Sequence, residues 1–137
     1  MTLANKFLSI AQLYNAAKKG NSHLIQKLLA NGTPCDTPNI FGVTPLSIAA
    51  AYGHQMVVNM LLQTNSVDVN SMSVDARPPI FSAAASGHVD IVRLLLQANA
   101  DFRVSDVNGD TPYSMAEKLG HRAIVKLMRD VDICRRL

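Results

Sequence analysis

Between residues 39 and 70 the chain reads NIFGVTPLSIAAAYGHQMVVNMLLQTNSVDVN, and its apolar positions fall into two short clusters separated by a glycine. The first, Leu46-Ser47-Ile48-Ala49-Ala50-Ala51, follows Thr44-Pro45. A threonine oxygen can cap free N–H groups at a helix start, and proline at the first helical position loses no needed donor. The spacing predicts a short helix there, ending at Tyr52-Gly53, where glycine takes a left-handed turn that other residues resist. The second cluster, Val57, Val58, Leu61 and Leu62, recurs at helical spacing, so residues 54–63 read as an amphipathic helix. Residues 65–70 then loop onward. The unit is turn, helix, turn, helix, loop.

The unit recurs. Gly20, Gly53, Gly87 and Gly120 are separated by 33, 34 and 33 residues, and each ends an alanine-containing segment and precedes an aliphatic one. Eight residues before them stand Gln12, Pro45, Pro79 and Pro112, and eight after stand Leu28, Leu61, Leu95 and Met128. A fixed period of this length signals stacked repeats. The register places four units at about 10–37, 39–70, 73–105 and 106–129, within a single domain spanning 1–137.

Composition narrows the class. The chain has 137 residues, 48% of them hydrophobic, which is enough for a sizeable core. Tryptophan is absent and aromatics are few, so the core is aliphatic and alanine-rich, favouring closely packed helices. The net charge of +3 is spread among acids rather than gathered into runs. The opening MTLANKFLSI lacks the long apolar core of a secretory signal, and no stretch approaches the roughly 18 apolar residues of a membrane helix. These features lead to the expectation of a monomer of cytoplasmic or nuclear location, with no membrane or nucleic-acid partner.

The repeat resembles the ankyrin repeat, whose pattern contains a D-x-x-G turn, T-P-L-H-x-A-A, G-H, a leucine-rich helix and G-A-D-V-N. The best matches are Thr44-Pro45-Leu46, Gly53-His54, GHVDIVRLLL from Gly87, Asp106-Val107-Asn108-Gly109-Asp110-Thr111-Pro112, Gly120-His121 and Asp68-Val69-Asn70. The resemblance covers nearly the whole chain and implies an all-α solenoid of four stacked helix-turn-helix units. Two departures stand out. The histidine after T-P-L is Ser47, Phe81 and Ser114 in the last three units, which predicts looser turns. Unit three carries Ala76-Arg77-Pro78-Pro79 and one extra residue in the preceding loop, which makes its hairpin the least regular.

The ends differ from the middle. Residues 1–9 read equally as an extra turn, with Phe7 and Leu8 laid over the first unit, or as a frayed end. Unit one follows with helices over 10–18 and 22–30. Lys27 stands where Met60, Leu94 and Leu127 stand, and Glu117 and Arg129 replace apolar residues in unit four, so both ends look solvated. Residues 130–137 read as a short polar segment whose Arg135 and Arg136 supply solubilising charge. Polar ends suit a complete small domain, which fits equally as one domain of a larger protein.

Candidate chemistry is sparse. His54, His88 and His121 occupy one position in successive units, about 10 Å apart, whereas zinc ligands sit about 2 Å from one ion. They are expected to be structural, with no metal and no cofactor, and His23 is expected at the surface. Cys35 and Cys134 lie about three inter-helix steps apart, too far for a disulfide, and neither has a base beside it for catalysis. No phosphate loop, nucleophile elbow or paired-carboxylate motif is present, so the chain reads as a non-enzyme.

The resemblance implies a protein-binding module, contacting an unnamed partner protein through its concave face and turn tips. Carried onto this sequence, the contact positions are Ile40, Phe41, Val43, Ala51 and Tyr52 in unit two; Val74, Asp75, Arg77, Ala85 and Ser86 in unit three; and Val107, Asn108, Asp110, Lys118 and Leu119 in unit four. Lys18 and Lys19 extend the row into unit one. Phe41 and Tyr52, with Ile40 and Val43 around them, are expected to dominate. Leu62, Asp68, Val69 and Asn70 also resemble the pattern around ankyrin asparagines modified by an oxygen-dependent hydroxylase, which marks Asn70. A structural spacer role within a larger intracellular protein is the alternative.

Overall fold

A computed structural model describes residues 2–137, and it contains eight helices in four pairs. The pairs are α1 (Leu3–Lys19) with α2 (Ser22–Ala30), α3 (Pro45–Tyr52) with α4 (Gln55–Gln63), α5 (Pro79–Ser86) with α6 (Val89–Gln97), and α7 (Pro112–Lys118) with α8 (Arg122–Arg136). No strand occurs among the described residues. Two layers result: first helices stack on first helices, and second helices on second helices. Contact is denser in the first layer, because Ala16, Ala17, Ala49, Ala50, Ala83, Ala84 and Ala116 bury only methyl groups between neighbours. We term this more closely packed first-helix layer the inner face. The expected register holds in the core, where Leu61, Leu95 and Met128 are all fully buried.

Helix starts follow the threonine-proline chemistry. Thr44 Oγ1 accepts from the Ser47 N–H at 3.2 Å, and Thr111 Oγ1 from the Ser114 N–H at 3.0 Å. Ser114 corrects the expectation of a looser turn in unit four: its own hydroxyl accepts from the Thr111 N–H at 2.8 Å and completes a capping box. Unit three has no such cap, since Pro78 offers no side-chain acceptor. Its hairpin also holds Ala76 at φ 60°, where units two and four have Gly42 and Gly109. This hairpin is the irregular one the sequence indicated.

The three aligned histidines lock each unit to the one before. His54 Nε2 lies 2.8 Å from the Lys18 carbonyl, His88 Nε2 3.2 Å from that of Ala51, and His121 Nε2 3.2 Å from that of Ala85. Each ring rests on the glycine of the preceding unit. A Cβ at Gly53 would stand 2.7 Å from the His88 ring, and Gly53 also has φ 81°, so both sterics and backbone require glycine.

Both ends depart from the sequence expectation. Helix α1 is continuous from Leu3, because Thr2 caps it through the Asn5 N–H at 3.2 Å and nothing up to Lys19 breaks it. Phe7 and Leu8 are exposed rather than laid over unit one; Met1 lies outside the described residues. At the other end α8 runs on to Arg136 instead of stopping near residue 129. Arg135 is not simply solubilising charge: it donates to the carbonyls of Leu96 and Ala100, both at 3.2 Å, satisfying the end of α6, and lies 5.4 Å from the Phe102 ring.

Leu95→Ala removes buried methyl groups and leaves a cavity, so urea titration should show a loss of about 2–5 kcal/mol. Ala76→Gly removes a left-handed alanine that costs about 1–2 kcal/mol, offset by about 0.5–1 kcal/mol of glycine chain entropy, so the same titration should show no loss and a gain of up to about 1.5 kcal/mol.

Candidate functional site: the hairpin tips and inner helix ends

The hairpins of units two and four each begin with a residue whose side chain organises the turn. Asn39 Oδ1 accepts from the N–H groups of Phe41 at 2.9 Å and Val43 at 3.0 Å, while Asn39 Nδ2 donates to the Tyr14 hydroxyl at 3.1 Å. Asp106 Oδ1 accepts from Asn108 at 3.0 Å and Asp110 at 2.9 Å. Successive tips are joined by backbone bonds, from the Val74 N–H to the Phe41 carbonyl at 2.9 Å and from the Val107 N–H to the Asp75 carbonyl at 3.0 Å. These bonds hold the tips in register. Ile40, Val74 and Val107 therefore occupy one position in three consecutive turns, exposed by 89%, 65% and 64%.

The expected contact residues divide into groups. Ile40 and Phe41 project from the first of these tips, Phe41 with 58% of its surface exposed, and Val43 is half-buried at the base. Tyr52, 52% exposed, belongs elsewhere: it ends α3, about 12 Å of helix away from the turn. Its neighbours are Lys18, with Nζ 5.9 Å from the ring centroid, and His54, at 6.4 Å between rings. Ser86, Lys118 and Leu119 continue that opposite edge and are exposed, as is Asn108 on the tip edge. The inner face thus has two rims, tips on one side and first-helix C-termini on the other, and the half-buried Ala51 and Ala85 lie one residue in from the helix-end rim in units two and three.

Charges at the rims are partly committed. Arg77 Nε donates to the buried Asp106 Oδ2 at 3.1 Å and the guanidinium lies 4.8 Å from the Phe81 ring, so its charge serves the hairpin. Lys118 pairs with Asp110. Among the described residues, Asp75, Lys18 and Lys19 have no ion-pair partner. Burial alone would raise the Asp106 carboxyl, but the N–H groups of Asp110 and Asn108 and the Arg77 guanidinium outweigh it and hold it below the usual carboxylate range. The roles of Asp106 and Tyr14 were not read from the sequence; the D-x-x-G turn pattern was the signal for the first, while the second depends on which face of α1 meets the hairpin.

Asn70 lies in the loop after α4, away from both rims. Its Oδ1 accepts from the Asp101 N–H at 2.9 Å, just as Asp36 Oδ2 in the preceding loop accepts from the Asp68 N–H at 3.0 Å. Cys35 is buried beside Thr64, with Sγ 3.7 Å from its hydroxyl, and Cys134 is exposed on α8. A further concavity of about 290 Å³ beside α7 and α8 includes Phe102, Tyr113 and Met128, and its polar groups satisfy one another, Arg129 donating to the Tyr113 hydroxyl and Arg103 pairing with Asp132.

The comparisons with known proteins agree with this geometry. The family model for ankyrin repeats, described as three copies, matches residues 13–106 and 65–136. The chain belongs to the ankyrin-repeat family. It is 33% identical over 124 residues to the inactive serine/threonine-protein kinase TEX14 of Mus musculus, covering 90% of this chain and 8% of that protein. It is 42% identical over 64 residues to protein fem-1 homolog A of Danio rerio, covering 43% of this chain and 10% of the relative. GA-binding protein subunit beta-2 of Mus musculus is 40% identical over 52 residues, covering 38% and 12%. The chain therefore spans only about a tenth of the length of these relatives. Ankyrin repeats are protein–protein interaction modules, and no helix among the described residues is long and apolar enough to cross a membrane.

The Asp106 hub gives a pH prediction. Its carboxyl is depressed in the folded state, so its contribution to stability is present above the unfolded carboxylate range near pH 4 and is lost as pH falls through the folded value. Asp106→Asn should lower the thermal midpoint at pH 7 and flatten the fall in midpoint as pH drops below about 4, measured by thermal melts across a pH series.

Proposed function

We propose that this domain is a non-enzymatic protein-binding module that holds a partner between the hairpin tips and the C-terminal ends of its first helices. The observation that carries the reading is the exposed apolar row Ile40, Val74 and Val107, with Phe41 beside it. Exposed apolar groups gathered in one place mark interaction sites, and these four sit on turns already closed by their own backbone bonds, so the fold makes no use of them. Phe41 is the anchor of the tip rim and Tyr52 that of the helix rim. Val43 supports the first tip, and Asp75, Ser86 and Asn108 supply polar contacts in units three and four. Arg77 joins two hairpins through Asp106, and Asp110 ties its hairpin to Lys118 at the end of α7, beside Leu119. Hydroxylation at Asn70 would require the loop to open, because its amide oxygen is engaged by Asp101.

The test is affinity capture with mass spectrometry, followed by paired substitution. Phe41→Ala with Tyr52→Ala should weaken binding of the captured protein by at least about thirtyfold, since truncating an aromatic anchor costs about 2 kcal/mol or more. The thermal midpoint should change little. Failure to capture any specific partner favours the spacer role, and a large fall in midpoint assigns the two aromatics to the core.

A further inference from the structure

The helix rim of repeat one holds a concavity of about 380 Å³ lined by Asn15, Lys18, Lys19, Tyr52 and His54. Both lysines are exposed and neither meets a carboxylate among the described residues. Lysines in a last helical turn gain something from the helix dipole alone. Here, however, carbonyls of that turn already have partners: Ala16 accepts from the Asn21 N–H at 2.9 Å, and Lys18 from His54 Nε2 at 2.8 Å. The ammonium groups are left facing outward, one of them over an aromatic ring.

We propose that this concavity receives carboxylate side chains, and that the segment bound along the inner face is an acidic peptide. The inference rests on the inner-face binding proposed above and adds the partner's chemistry and its placement. Lys18, Ala51, Ala85 and Lys118 share one position in the four repeats, and Lys118 is tied to Asp110. The free positive charge of this row is therefore confined to repeat one. The free charge on the tip of repeat three is Asp75, of opposite sign. A phosphate backbone requires a continuous basic track, and this one ends after a single repeat and meets a carboxylate two repeats on. A polypeptide matches the alternation. Its acidic residues lie over Lys18 and Lys19, apolar side chains cross the alanine floor toward the tips, and a neutral or basic residue faces Asp75. Two repeat steps of about 10 Å each put these groups at least about six residues apart in an extended chain.

The experiment selects phage-displayed random dodecapeptides on the folded domain and on Lys18→Glu with Lys19→Glu, each checked by circular dichroism and thermal melting. Lys18→Gln with Lys19→Gln replaces the double reversal if that variant does not fold. The wild type is expected to enrich peptides rich in Asp and Glu. Synthetic copies, followed by fluorescence polarisation, should bind the lysine variant at least about tenfold more weakly and should lose affinity as salt rises. Enriched peptides without acidic excess, bound equally by both proteins, overturn the charge assignment and leave inner-face binding standing if Phe41→Ala abolishes their capture. Tighter, lysine-dependent binding of a fluorescent oligothymidylate or of phosphatidylserine vesicles than of any acidic peptide also overturns it. No enrichment on either folded protein overturns the inner-face reading itself.

Discussion

An imidazole resting on a glycine sets the pitch of this molecule. His54, His88 and His121 each lie against the helix-ending glycine of the preceding repeat and meet a carbonyl near the end of its first helix. The contact demands two things of the glycine at once, a left-handed backbone and no Cβ, so it fixes both where the first helix stops and how close the next repeat comes. Alanines on the first helices satisfy the same distance along the rest of the contact. Because every repeat meets its neighbour through the same few atoms, its position is determined locally and needs no long-range pairing.

Everything at the surface inherits that pitch. The hairpins can form backbone bonds from tip to tip only because the helices below hold them at the required separation, and those bonds in turn align Ile40, Val74 and Val107. Side chains that point back into the stack are spent on it: Asn39 and Asp106 close their own turns, and Arg77 crosses from one hairpin to the next. Side chains that point away are free of structural duty. The division between a committed interior and an uncommitted surface is what lets such a scaffold vary its contacts without losing its fold.

The ends of the stack solve a different problem. Repeats two and three are covered on both sides, whereas α1 and α8 each have one side without a neighbour, and both are longer than the helices between them. In α8 the added turn brings Arg135 back over the C-terminus of α6, and Asp132, held below the usual carboxylate range chiefly by Arg103, ties the loop before repeat four to the same helix. Charge here replaces apolar contact, as Glu117 and Arg129 do at the neighbouring positions.

The sequence by itself determined the repeat, its register, the helix starts at Thr44-Pro45 and Thr111-Pro112, the core leucines and the irregular hairpin at Ala76, because each of these is encoded either by residues within one turn of one another or by the recurrence of the same residues at a fixed period. It also indicated which residues would be exposed at the tips. Only the tertiary structure decided where those residues stand relative to one another. Phe41 and Tyr52 belong to one repeat and yet face each other across the width of the inner face, since a helix lies between them. Arg77, which reads as a surface charge, is drawn to Asp106, 29 residues away in the chain, and Tyr52 finds Lys18 in the repeat before it. The lengths of α1 and α8 were likewise hidden, because the segments that extend them do not follow the repeat pattern of the units between. Pairings between repeats depend on which side chains the stacking brings within a few ångströms, and that distance is a property of the assembled fold.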